Sequence, residues 1–148
     1  MPFVPPSSPW QRLRALPPPE RALAWRLALA LPLIDLSLRL FGFQRTWRWL
    51  ARCLPRASRP GSANAPSALR TAALARAVGA RSPWRTTCLR QSLAVWWLLR
   101  ERGQRAILTI GVVRREQPLQ AHAWVELDGV ALDPEVPPDA VFPPLPEP

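Results

Sequence analysis

From Glu20 onward, apolar residues recur at steps of three or four, at Leu23, Leu27, Leu31, Ile34 and Leu38. That spacing predicts an amphipathic helix. Pro32 falls inside it and is expected to kink or split the element. GFQRTWRWLARCL (residues 42–54) predicts a second short helix ended by Pro55, and RASRPGSANAP (residues 56–66) reads as a loop. Ser67 suits the N-cap of a helix over about 68–79, with Gly79 near its end. After RSPW (residues 81–84), Thr86 or Thr87 can cap a strongly apolar helix from Cys88 to about Arg102, stopped by Gly103. The period then shortens to two. RAILTIGVVRR (residues 105–115) alternates and is rich in β-branched residues, and a turn follows around Gln117 and Pro118. QAHAWVEL (residues 120–127), the dipeptide Asp128-Gly129 and VALD (residues 130–133) predict a hairpin. The fold class is α+β, with helices first and a small antiparallel sheet after them.

Composition sharpens the boundaries. The chain has 148 residues, 48% hydrophobic and 20% charged, which is enough to bury the core of one domain. Of its 20 prolines, seven lie in residues 1–19 and seven in residues 134–148. Both ends therefore read as a proline-rich arm and tail around a domain at 20–133, helical over 20–80 with a core over 84–133.

Charge is divided unevenly. Residues 1–100 hold sixteen Arg against Glu20 and Asp35, a balance of +14, whereas residues 101–148 stand at −4. Such a basic half suits an acidic partner or surface. Nucleic acid is not expected, because the Arg residues are dispersed through apolar stretches and no zinc-finger, KH or RRM signature occurs. The most apolar stretch, residues 22–40, carries Arg26, Pro32, Asp35 and Arg39, which a membrane-spanning helix tolerates poorly. No secretory signal is visible, and the expected location is cytoplasmic.

The chemistry converges on the chain's single histidine, His122. With Asp128-Gly129 as a two-residue turn, Leu127 faces Val130, Glu126 faces Ala131, Val125 faces Leu132 and Trp124 faces Asp133. Asp133 is then the diagonal neighbour of His122 on one face, about 7–8 Å away between backbones. Glu126 shares the face but lies roughly 13 Å along the strand. Asp133 is thus the better orienting carboxylate, able to fix one imidazole tautomer and leave the other nitrogen free as a base. Cys88 falls in the first turn of a helix, where free amides and the helix dipole favour a thiolate and where its own N–H can serve an oxyanion. Cys, His and Asp so placed are the parts of a thiol acyl-transfer site. Taken singly, each has a plainer reading: a buried thiol, a strand histidine, an aspartate ending a strand before Pro134. Cys53, in an apolar helix without His or acid nearby in sequence, reads as structural. Gln91 and Gln104 are candidates by residue type for a second oxyanion donor. One His and two distant Cys do not form a zinc cage, and no phosphate-binding glycine loop occurs, so neither metal nor cofactor is expected.

The stretch CLRQSLAVWWLLRERGQRAILTIGVVR followed by AHAWVELDGVALD resembles the transglutaminase-like leader peptidase of lasso-peptide biosynthesis, closely over residues 84–133. The resemblance implies a papain-like fold with Cys88 as nucleophile, His122 as general base and acid, and Asp133 as orienting carboxylate. It also implies a reaction, removal of the leader from a ribosomally made precursor before a separate ATP-dependent cyclase closes the ring. Some members carry a leader-binding winged-helix module of about 80 residues. Residues 1–60 read instead as helix without strand patterning, which resembles the stand-alone form and implies a separate leader-recognition protein as partner. Arg residues and Trp10, Trp25, Trp47 and Trp49 in that segment are candidates for the docking surface, or else helix core. Two other functions fit the sequence: a non-catalytic binding module of the same fold, and a peripheral membrane protein using residues 22–40 as an interfacial helix.

Overall fold

The computed structural model describes residues 13–55, 66–83, 87–113, 120–136 and 148. Expectations for Trp10, the loop after residue 55, Trp84, Thr86 and the turn at Gln117 and Pro118 fall outside them. Among the described residues, α1 (Pro18–Arg52), α2 (Ala68–Arg81) and α3 (Cys88–Glu101) come first. Three antiparallel strands follow in the order β1 (Ile107–Val113), β2 (Gln120–Leu127), β3 (Val130–Ala131). The architecture is the mixed α+β one that the periodicity predicts.

Helix α1 begins at Pro18, two residues before the first acid of its opening turn, because a proline there gives up no hydrogen bond. Its break is not at Pro32. Helical geometry runs through that proline, and the non-helical residue is Gly42, at φ 75° and ψ 174°. A proline costs one intrahelical bond and local crowding, which a well-packed helix absorbs. A left-handed residue changes the direction of the chain, and glycine adopts it without steric cost. Beyond the break, the Thr46 hydroxyl donates to the Gly42 carbonyl (2.9 Å) and lies 2.9 Å from the Ser37 hydroxyl, bracing the bend.

Helix α2 opens on Ser67, whose hydroxyl accepts from the Arg70 N–H (3.2 Å). It continues through Gly79 to Arg81, past the expected end. Gly79 is buried in the helix interior and does not stop it. Helix α3 stops where expected. Gly103 adopts φ 77°, its N–H donates to the Arg100 carbonyl (2.9 Å), and the Gln104 N–H donates to the Leu99 carbonyl (3.1 Å). These are the two bonds of a Schellman stop. Arg102 then ties this end of α3 to α2, donating to the Pro66 carbonyl and the Thr71 hydroxyl. Desolvation by burial pushes its guanidinium below the usual value.

Helix α3 is the centre of the molecule. One side packs on α1 and α2, and the other lies on β1 and β2. Leu27, Ala75, Leu93, Ala94, Leu98, Leu99 and Ala106 are fully buried, and Trp47 meets Trp96 edge-on with centroids 6.0 Å apart. Fully burying one such leucine contributes about 1.5–3 kcal/mol. Of the apolar residues on α1, the inner stripe Leu23, Leu27, Leu31 and Ile34 enters this core, joined beyond the break by Trp47 and Leu50. Leu29, Leu33, Leu36 and Leu40 point outward at 53–66% exposure. The helix is long and apolar enough by length and composition to cross a membrane, yet its inner stripe supplies core packing for α2 and α3.

Candidate active site

The hairpin sets the geometry. Asp128 (φ 52°) and Gly129 (φ 78°) both take positive φ, as a two-residue type I′ turn requires. The register is the predicted one, Leu127 opposite Val130 and Glu126 opposite Ala131. The Leu132 N–H donates to the Val125 carbonyl (2.8 Å) and extends the pairing past β3. His122 stands on the central strand opposite Gly111 of β1, so no side chain crowds it from across that ladder.

The His122 Nε2 lies 2.8 Å from Asp133 Oδ2, and both side chains are largely buried, at 15% and 17% exposure. The other carboxylate oxygen, Oδ1, accepts the Glu135 N–H (2.9 Å), and the Val136 N–H donates to the Asp133 carbonyl (3.2 Å). Asp133 is therefore held from both sides by a turn that begins at its own backbone. An ionised carboxylate only accepts, so this bond places the neutral ring's proton on Nε2 and leaves the Nδ1 lone pair open. Trp124 forms a wall beside the ring, its centroid 6.1 Å away at an interplanar angle of 22°. Its Nε1–H donates to Glu126 Oε1 (2.8 Å), which commits Glu126 elsewhere. Val136, beyond the expected domain boundary, packs on Trp124.

Cys88 is the first residue of α3, half-buried, with its thiol free and Thr87 in extended conformation as the N-cap. The Thr87 side chain makes no capping bond. One turn on, the Ser92 hydroxyl donates to the Ala123 carbonyl (2.8 Å). This bond explains how helix and hairpin lock together. On the β3 edge of β2, the Val125 carbonyl is taken by Leu132, and β3 has ended before it can reach Ala123. Ser92 supplies the missing donor, because a buried carbonyl left unpaired is costly. Cys88 and Ser92, four residues apart, share one face of α3 about 6 Å apart along the axis. The face carrying Cys88 is thus the face bonded to the neighbour of His122.

A second anchor was not legible in the sequence. Asp35 of α1 is buried and accepts from Arg39 Nε at both oxygens (3.0 and 3.1 Å), and Arg90 Nη2 lies 2.6 Å from its Oδ1. Arg90 is in the first turn of α3, so the ion pair fixes the start of the Cys88 helix against α1. An acid inside an apolar helix was the available signal; its partner fifty-five residues away was not.

Gln91 lines a cavity of about 30 Å³ with Ser92, Trp124 and Asp133. Gln104 lies past the opposite end of α3, about 20 Å from Cys88 at 1.5 Å per residue, with its Oε1 buried. That position removes it as an oxyanion donor. Cys53, read as structural, is the exposed C-cap residue of α1. Sequence spacing offered no metal-ligand set, whereas the fold gathers ligand atoms of His122, Asp133 and Glu135 within 4.8 Å of one another, with the His122–Asp133 bond inside that group.

No curated protein and no solved structure matches the chain. The family model for the transglutaminase-like superfamily, which includes cysteine peptidases, matches residues 27–146. The match takes in most of α1, the Cys88 helix, and the hairpin bearing His122 and Asp133, and the chain belongs to the transglutaminase-like superfamily.

Proposed function

We propose that this protein is a cysteine peptidase that removes the leader from a ribosomally made lasso-peptide precursor. The observation that carries the reading is the Nε2–Oδ2 bond between His122 and Asp133, set beside the α3 face on which Cys88 begins. His122 Nδ1 takes the thiol proton of Cys88, and the thiolate attacks the scissile carbonyl carbon. The Cys88 N–H stabilises the resulting oxyanion. Collapse breaks the C–N bond as the imidazolium protonates the departing amine, leaving a thioester. Water, deprotonated by the same imidazole, then opens the thioester and restores the thiol. Asp133 holds the ring in the tautomer that accepts at Nδ1 and stabilises the imidazolium.

The precursor leader is the substrate element. The resemblance of residues 84–133 to the stand-alone leader peptidases supports two partners, a separate leader-recognition protein and an ATP-dependent lasso cyclase acting afterwards. A cytoplasmic setting suits a free catalytic thiol.

The deciding measurement is the mass of a cognate precursor after incubation with the protein, with and without the leader-recognition protein. Wild type is expected to release the leader mass and Cys88→Ala to leave the precursor intact. Cleavage by Cys88→Ala at the wild-type rate refutes the assignment. Absence of cleavage by folded wild type under all these conditions favours the non-catalytic binding module.

A further inference from the structure

The outer side of α1 has no place in the chemistry above. Taking 100° per residue, Leu29, Leu33, Leu36 and Leu40 fall within a stripe about 60° wide, on the side away from the buried Leu23, Leu27, Leu31 and Ile34. The helix is apolar on two opposed faces. The core uses one, and leucines on the other are 53–66% exposed, with Phe41 at 57% and Trp49 at 51% continuing the surface across the break. At Gly42 the change of direction turns this surface concave. A groove of about 500 Å³ forms there, lined by Leu33, Leu36, Leu40, Phe41, Trp49 and Arg45, with Ser37 as its other polar residue.

Shape and charge together select the occupant. A bilayer contacts a straight, convex apolar stripe, whereas a groove of this volume takes discrete side chains, as in helix-in-groove recognition. The surroundings are basic. Arg45 lies in the groove, and Arg48 and Arg52 are exposed one and two turns further on. The two acids of α1 are already engaged, Glu20 by Arg70 and Asp35 by Arg39 and Arg90. The first hundred residues carry a balance of +14. We infer that this groove is a docking site for an acidic, amphipathic segment of a separate protein, which inserts apolar side chains at Gly42 and sets carboxylates against Arg45 and its neighbours. The inference rests on the proposed function only in naming the probe, the leader-recognition protein of the same pathway.

The experiment measures binding of that protein to the full chain by calorimetry, for wild type, Leu36→Asp/Leu40→Asp and Arg45→Glu, with precursor cleavage assayed separately. All three positions are solvent-facing, so the variants are expected to keep wild-type circular dichroism. The expected result is at least tenfold weaker binding in the leucine variant and a smaller, salt-dependent loss in Arg45→Glu. Partner-independent cleavage stays unchanged. Wild-type affinity in both variants, or no binding by wild type, overturns the inference whatever the cleavage assay shows. Binding that behaves as expected without cleavage keeps the inference and refutes the peptidase reading. Two controls name other occupants. Co-sedimentation with phosphatidylglycerol vesicles, or self-association in sedimentation velocity, either one lost in Leu36→Asp/Leu40→Asp while partner binding persists, overturns it in favour of a bilayer or a second copy.

Discussion

The two cysteines of this chain occupy opposite kinds of helix end. Cys53 caps the C-terminus of α1, exposed, where its N–H closes the last turn on the Trp49 and Leu50 carbonyls. Cys88 opens α3, half-buried, at the positive end of the helix dipole. Both thiols are free. What separates them is the structure around the helix end. Cys88 stands on the face that Ser92 joins to β2, in a turn that Arg90 pins to α1. Nothing comparable surrounds Cys53 among the described residues. A thiol becomes a candidate nucleophile through what holds it, and residue type alone does not decide it.

Removing each thiol in turn tests the contrast most severely. Cys88→Ala is expected to lower precursor cleavage by roughly 10⁴-fold or more, and Cys53→Ala by less than about twofold, read by mass spectrometry. Equal losses would erase the distinction. Asp133→Asn comes next, expected to slow cleavage by about 10³-fold with the melting curve little changed, since the amide oxygen can still accept from Glu135 while the imidazole loses its carboxylate. In the same variant, alkylation of Cys88 by iodoacetamide should slow and that of Cys53 should not.

A third test loosens the frame of one cysteine only. Asp35→Ala leaves Arg90 without its buried counter-charge and is expected to cost about 3 kcal/mol in urea unfolding. Residual activity should fall further than stability alone explains, because α3 would lose its register against α1. The smallest effect belongs to Glu20, remote in sequence from both cysteines. Its hydrogen bond from Arg70 holds the carboxyl below the usual carboxylate range. The pair's contribution is therefore full above about pH 4.3, and it fades as pH falls through the lowered folded value. Glu20→Gln should remove less than about 1 kcal/mol at neutral pH, and the difference from wild type should shrink in acid.

How far the residues alone led depended on the range of the interaction. The hairpin was legible to the residue, because Asp128-Gly129 dictates a two-residue turn and the alternation of β2 then places Asp133 by His122. The stop at Gly103 was equally local. The α1 break was legible in part: residues 42–54 read as a separate helix and the chain does break at Gly42, whereas the kink expected at Pro32 is absent because helical geometry absorbs that proline. The double-faced character of α1 was hidden: periodicity detects an apolar stripe without telling which stripe is covered. Asp35–Arg90 and Ser92–Ala123 join residues 55 and 31 positions apart, and only the assembled layers bring them together.

Gly42 finally separates two reasons a glycine is kept. A β-carbon placed there would meet nothing within 4 Å, so room is not what the position requires. What it requires is handedness, since φ 75° suits the mirror image of an ordinary residue. A D-alanine introduced by chemical ligation would fit and reduce the freedom of the unfolded chain, whereas an L-alanine would pull against the bend. The groove on α1 thus depends on the one achiral amino acid, used in place of a stereoisomer that the ribosome does not supply.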